Sequence, residues 1–216
     1  MRLSVHLAVV VSALVVAGSN ANADTISYSL GLGNPAISGY TGPYVGVLVN
    51  RTSGTTADIT FTSLSSGSQT FLIGDGGSAA VNVNASTWSL SSILGVNLGT
   101  GFSPGPFSDG GSGNQDGFGS FNQKVDDFDG YTHTTSSLSF TLTNLSGSWA
   151  SAADVLAANA SGYVAAAHVF VASCASAASC DAGTGALATG FATVPEPGTA
   201  SMLGLGLTLL DLARRR

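Results

Sequence analysis

The sequence predicts an all-β fold: a single β-sandwich or jelly-roll-like domain with one short helix, flanked by an N-terminal signal peptide and a C-terminal transmembrane helix. Three observations predict it. Apolar and hydroxyl residues alternate with period two in segment after segment, as half-buried strands require. Gly, Ser, Thr, Asn and Ala dominate residues 24–193, where helix-favouring Lys, Arg and Glu are nearly absent. Turn-forming Gly, Asn, Asp and Pro clusters separate the segments at short spacing, the pattern of sandwiches and small barrels.

The N-terminus comes first. Met1-Arg2 is a short positive region, Leu3 to Gly18 is mostly apolar, and Ala21-Asn22-Ala23 places small residues at both positions read by signal peptidase. Residues 1–23 therefore read as a secretory signal peptide cut before Asp24, with an uncleaved signal anchor as the alternative. The domain that follows, 24–193, has roughly 170 residues, enough for a full hydrophobic core. It carries ten aspartates and no glutamate against Arg51 and Lys124, a net charge of about −8. Such a charge excludes nucleic acid and disfavours anionic membrane surfaces, while divalent cations and neutral polymers such as polysaccharides stay compatible.

Ile26, Tyr28, Leu30 and Leu32 alternate with small polar residues and predict the first strand. Residues 31–36 match G-x-G-x-x-A, but Pro35 and the Ser-Gly-Tyr-Thr-Gly-Pro run after it supply no helix to hold a phosphate, so the match is fortuitous. Tyr44 to Asn50 reads as a strand buried on both faces. Ala57, Ile59 and Phe61 mark another, and Phe71 and Ile73 end a third before the Gly74-Asp75-Gly76-Gly77 turn. Val81 and Val83 alternate with asparagines. Trp88, Leu90, Ser92 and Leu94 continue the same period.

Thr100 to Gly119 holds two prolines and seven glycines without periodicity and is expected to be a long surface loop. Phe121 to Phe128 is extended again and runs into Asp126-Asp127-Phe128-Asp129-Gly130. Asp127 and Asp129 are placed to put two carboxylates on one side of a turn, as calcium requires; the competing reading is a solvated acidic hairpin. Leu138, Phe140 and Leu142 form the clearest strand. Ser151 and Asp154 resemble a capping box and predict a short helix ending before Gly162. Tyr163 to Ala172 is a continuous apolar run, expected as a central strand with His168 as a hydrogen-bonded core residue. Cys174 and Cys180, both exported, would pinch one small loop as a disulfide. Leu187, Thr189 and Phe191 mark the last strand.

The remaining residues, 194–216, form a tail of different character. Pro195 and Pro197 hold Glu196 on a short extended strip. Residues 199–213 are apolar except for Asp211, and Arg214, Arg215 and Arg216 follow. A helix over 199–213 would rise roughly 22 Å, short of a hydrocarbon core of roughly 30 Å, and so suits temporary retention. Asp211 can pair with Arg214 or Arg215 at the membrane surface, and the arginines favour the cytoplasmic side.

Pro195-Glu196-Pro197, the apolar segment and the arginine cluster together resemble the PEP-CTERM sorting signal of Gram-negative bacteria. The resemblance covers about a tenth of the chain, and Asp211 departs from the usual wholly apolar segment. It implies that an exosortase, a membrane-embedded cysteine transpeptidase-like enzyme, recognises and cuts the tail in a cell that also makes exopolysaccharide. The stretches S-L-S-F-T-L-T-N, S-W-A-S-A-A-D-V-L and A-A-A-H-V-F-V between Leu138 and Ser173 also resemble small exported proteins bearing that signal.

The expected function is therefore that of an exported, non-enzymatic cell-surface or matrix protein: a membrane-anchored precursor, then a component associated with exopolysaccharide or biofilm. A carbohydrate-binding or adhesive module is the alternative, with Tyr40, Tyr44, Trp88, Tyr131 or Trp149 as stacking platforms. An exported hydrolase is the third. It is disfavoured because Asp126 to Asp129 are too local to bracket a substrate and no G-x-S-x-G is present. No catalytic residue and no cofactor other than calcium is expected.

Overall fold

The computed structural model describes residues 24–194. The signal peptide with Ala21 and Ala23, the Pro195-Glu196-Pro197 motif, the apolar segment and Arg214 to Arg216 lie outside the described residues.

Among the described residues thirteen strands are formed: β1 Asp24–Leu30, β2 Leu32–Gly33, β3 Val45–Arg51, β4 Thr56–Ser63, β5 Ser65–Ser66, β6 Gln69–Ile73, β7 Ala79–Val81, β8 Trp88–Val96, β9 Ser108–Gln115, β10 Gly119–Asp126, β11 Ser137–Asn144, β12 Ala165–Ala172 and β13 Ala186–Thr193. They make two antiparallel sheets. One has five strands in the order β1-β3-β4-β11-β8; the other runs β2-β13-β12-β7-β10-β9, with β6 also pairing β12 and β5 pairing β6. A single buried cluster joins inward residues of the first sheet, such as Val47, Phe61 and Phe140, to those of the second, such as Phe71, Val81 and Val169. Two sheets closing over one core fit a β-sandwich.

Period two carried most of this. In β11 the burial alternates without a break, with Leu138, Phe140 and Leu142 inward and Ser139, Thr141 and Thr143 outward. β12 is central, paired to β13 on one side and to β6 and β7 on the other, and its near-continuous burial follows from having both faces covered.

Four expectations are corrected. β3 is buried on one face only, because Gly46, Leu48 and Asn50 point away from the core and Leu48 is exposed. In β8 the period slips at Ser92, which adopts a left-handed φ of 55° where the pairing with β11 shifts register. Leu94 consequently faces out at 62 % exposure, while Ile93 turns inward. The expected loop 100–119 contains β9, an edge strand paired along β10. Its glycines hide it from any apolar pattern, yet they are needed: a Cβ on Gly113 would meet the Lys124 stem at 2.6 Å.

The fourth correction is the helix. Ser151 N–H and Oγ both donate to Asp154 Oδ2, at 2.9 and 2.8 Å, but only one 3₁₀ turn forms, at Ala152–Asp154. Asn84 N–H takes the Val155 carbonyl and Ala157 N–H bonds the Asn82 carbonyl. Long-range pairing thus uses the backbone groups that a helix would need.

Cys174 and Cys180 are disulfide-bonded with Cα atoms 5.2 Å apart. Cys180 is buried with Leu72 and Ala172, so the bridge fastens its loop to the outer side of the second sheet. Replacing both cysteines by alanine is expected to lower stability by about 2.4 kcal/mol, the chain-entropy value for so short a loop. Urea unfolding checks this; a loss above about 5 kcal/mol would make the bridge a staple for the whole domain instead.

Candidate functional site

Two features stand out: the outer face of the five-stranded sheet, and a group of titratable side chains on the second sheet.

On the first sheet, alternation sends every second residue outward and strand register lines these residues into rows. One row reads Ser27, Leu48, Thr60, Ser139, Leu94 across all five strands. The next reads Thr25, Asn50, Asp58, Thr141, Ser91. Asp58 supplies the carboxylate of these two rows and already accepts a hydrogen bond from Thr141 Oγ1 at 2.7 Å. Two shallow depressions interrupt the face. One, of about 170 Å³, lies where Gly46 lacks a side chain beside Ser27, Leu48 and Thr62. The other, of about 300 Å³, lies over Asp58, Thr60, Ser139 and Thr141, next to the Ser92 kink.

On the second sheet, His168 of β12 stacks on Phe191 with ring centroids 4.3 Å apart, and on Phe170 at 5.4 Å. Its Nε2 lies 2.8 Å from Thr189 Oγ1, and its Nδ1 lies 4.0 Å from Asp75 Oδ2. Hydroxyl, imidazole and carboxylate thus fall in one line. The tautomer of His168 sets the direction of these contacts. Thr189 Oγ1 also donates to the Val169 carbonyl at 3.1 Å. A hydroxyl has one proton, so both contacts are satisfied only if Nε2–H donates to Thr189. A general base needs the reverse, with Nε2 bare and Nδ1–H held by the carboxylate. Burial pushes the His168 imidazole below its ordinary value, against the opposing pull of Asp75.

Asp75 adopts a left-handed φ of 64° in the Gly-rich turn, and its Oδ1 accepts the Gly130 amide at 2.8 Å. Asp127 is buried. Its Oδ1 accepts the Gly105 and Phe128 amides at 2.9 and 2.7 Å, while its Oδ2 is enclosed without a partner. Desolvation raises the Asp127 carboxyl to about 6, outweighing those amides and His133; nearby Asp75 adds to the rise.

The residues singled out in the sequence are dispersed. Asp127 is turned inward and Asp129 is exposed, so the two do not share one side of the turn. Among the described residues, no three His, Cys or Asp side chains come together to hold a metal ion. The aromatic platforms are used internally. Tyr44 and Trp149 are buried, Tyr40 and Trp88 pack against the core, and Tyr131 lies edge-on to Phe102 at 5.3 Å. Trp88 Nε1 donates to Gln123 at 2.9 Å and Trp149 Nε1 to the Asn84 carbonyl at 2.8 Å. Sequence reading missed the partners Asp75 and Thr189, which lie far from His168 in the chain. It also missed the outward rows, whose hydroxyls were visible in the alternation but whose register was not.

Comparison with known proteins adds nothing to this. No family model matches the chain, and no curated protein or solved structure matches it significantly. Among the described residues no helix is long and apolar enough to cross a membrane.

Proposed function

We propose that the chain is an exported protein of the cell surface or extracellular matrix, sorted by an exosortase and structural in role, in company with exopolysaccharide. The observation that carries the reading is the terminal order of Pro195-Glu196-Pro197, an apolar run over 199–213 and Arg214 to Arg216. Signal peptidase would cut after Ala23, and the tail would hold the precursor in the membrane until the exosortase acts. The folded part agrees with this role. It is a sandwich- or jelly-roll-like β unit with a polar outer sheet.

Replacing Pro195, Glu196 and Pro197 together by alanine is expected to leave a membrane-retained precursor. Immunoblots of membrane, surface and medium fractions check this. Release of normally processed protein from that variant would reject exosortase sorting.

A further inference from the structure

We propose that β8 joins a second copy of this chain, edge to edge and antiparallel, so that two five-stranded sheets continue into one across a two-fold axis at Gly95. This pairing is independent of how the chain is sorted.

A strand edge presents a row of backbone N–H and C=O groups, and folded proteins blunt such edges with charges, bulges, short strands or a covering turn. The other edges of the two sheets carry these devices. β2 and β5 have two residues each. β9 holds Asp109, and register shifts break its pairing with β10. β1 begins at Asp24, whose carboxylate accepts the Ala152 amide at 2.8 Å and holds the 3₁₀ turn against the strand. β8 is different. Among the described residues it pairs with β11 alone, and the Ser92 kink leaves 93–96 regular beyond it.

Backbone geometry sets which groups face the open side. The Val96 carbonyl accepts the Ser136 amide at 2.8 Å, and the Leu94 carbonyl accepts Ser139 Oγ at 3.4 Å, so both point at β11. By alternation the N–H and C=O of Ile93 and Gly95 point away from it. A second β8, placed with Gly95 opposite its own copy, would exchange two backbone hydrogen bonds at the axis.

The side chains suit the same register. Leu94 then lies opposite the copy's Val96, and Val96 opposite the copy's Leu94, in non-hydrogen-bonded pairs with Cα atoms about 4.5 Å apart. Both project from the outer sheet face, 62 % and 46 % exposed in the single chain. The pairing brings these apolar side chains together and removes them from water.

Charge favours a copy as the partner. Residues 86–107 contain no Asp, Glu, Lys, Arg or His, in a domain of net charge about −8. Two such domains repel wherever their aspartates approach, and this neutral edge is where they can meet. An antiparallel contact of a strand with its own copy is self-complementary by symmetry. One strand pair is a small interface, so the dimer is weak, with a Kd of about 1–100 µM.

The test is analytical ultracentrifugation of the full chain, purified from whichever fraction holds it, over about 1–200 µM. The parent is expected to pass from one chain to two across that range. Leu94→Lys/Val96→Lys sets like charges opposite each other and should weaken association at least about tenfold. Leu94→Lys/Val96→Glu sets Lys opposite Glu in this register and should associate within about threefold of the parent. Both variants alter exposed side chains, so their melting temperatures should stay within about 2 °C of the parent. A parent that remains one chain at about 200 µM would overturn the pairing. So would a double-lysine variant that associates like the parent, which would put the contact on another face or in the apolar tail. Equal weakening of the two variants would overturn the register, and the proposal with it.

Discussion

Phe61→Ala is expected to destabilise the domain by about 3–5 kcal/mol, the usual cost of emptying a fully enclosed aromatic site. Phe61 has no exposed surface and lies in the middle of β4, opposite Val47 on one neighbouring strand and Leu138 on the other. Its ring stacks on Phe140 with centroids 6.2 Å apart. Strands on both sides are held in register by backbone bonds, so the site cannot collapse to fill the void. Domains of this kind have about 5–15 kcal/mol in total, so the variant should be partly unfolded at 37 °C. Urea denaturation followed by circular dichroism gives the number. A loss below about 1 kcal/mol would show that Phe61 is not enclosed as described.

The second large effect concerns pH. The Asp127 carboxyl stands at about 6 in the folded chain against an ordinary value of 3.8, because burial outweighs its two amide donors. The sign follows directly. Below about pH 3 the group is protonated in both states and imposes no penalty. As pH rises towards 6 the unfolded chain ionises freely while the folded one resists, so stability falls, and the loss is complete above that value. About two pH units of difference correspond to at most about 3 kcal/mol. His168 works the other way: its lowered value makes its contribution present above 6.5 and lost as pH falls. Asp127→Asn, whose amide oxygen can still accept from Gly105 and Phe128, should abolish the fall between pH 4 and 6. Urea midpoints at pH 4, 5, 6 and 7 compare the two chains, with His168→Phe as a background that removes the opposing trend. Equal pH slopes with and without the Asp127 carboxylate would refute the assignment.

Much of the fold was legible because period two records which face of a strand meets the core. Leu138, Phe140 and Leu142 could be placed inward from the sequence alone, as could the central position of the apolar run ending at Ala172. The failures have identifiable causes. β9 offered no pattern because its glycines are there for their lack of a side chain, beside Lys124 and Asp126. The Ser92 slip depends on a left-handed residue that alternation cannot announce. The helix expected after Ser151 lost its carbonyl at Val155 to Asn84, a residue far away in the chain.

The same division holds for the site. By itself the sequence determined the strand content, the acidic charge and the cysteine pair, and it supplied the terminal order on which the sorting proposal rests. These are properties of composition and local order, which need no knowledge of neighbours. Tertiary structure decided that the aromatics are buried and that Asp127 faces amides while Asp129 faces solvent. It also set His168 between Thr189 and Asp75, and aligned outward hydroxyls from four of the five strands of the first sheet into rows. Each of these depends on which strands pair and in what register, and register is fixed by contacts between residues distant in the chain.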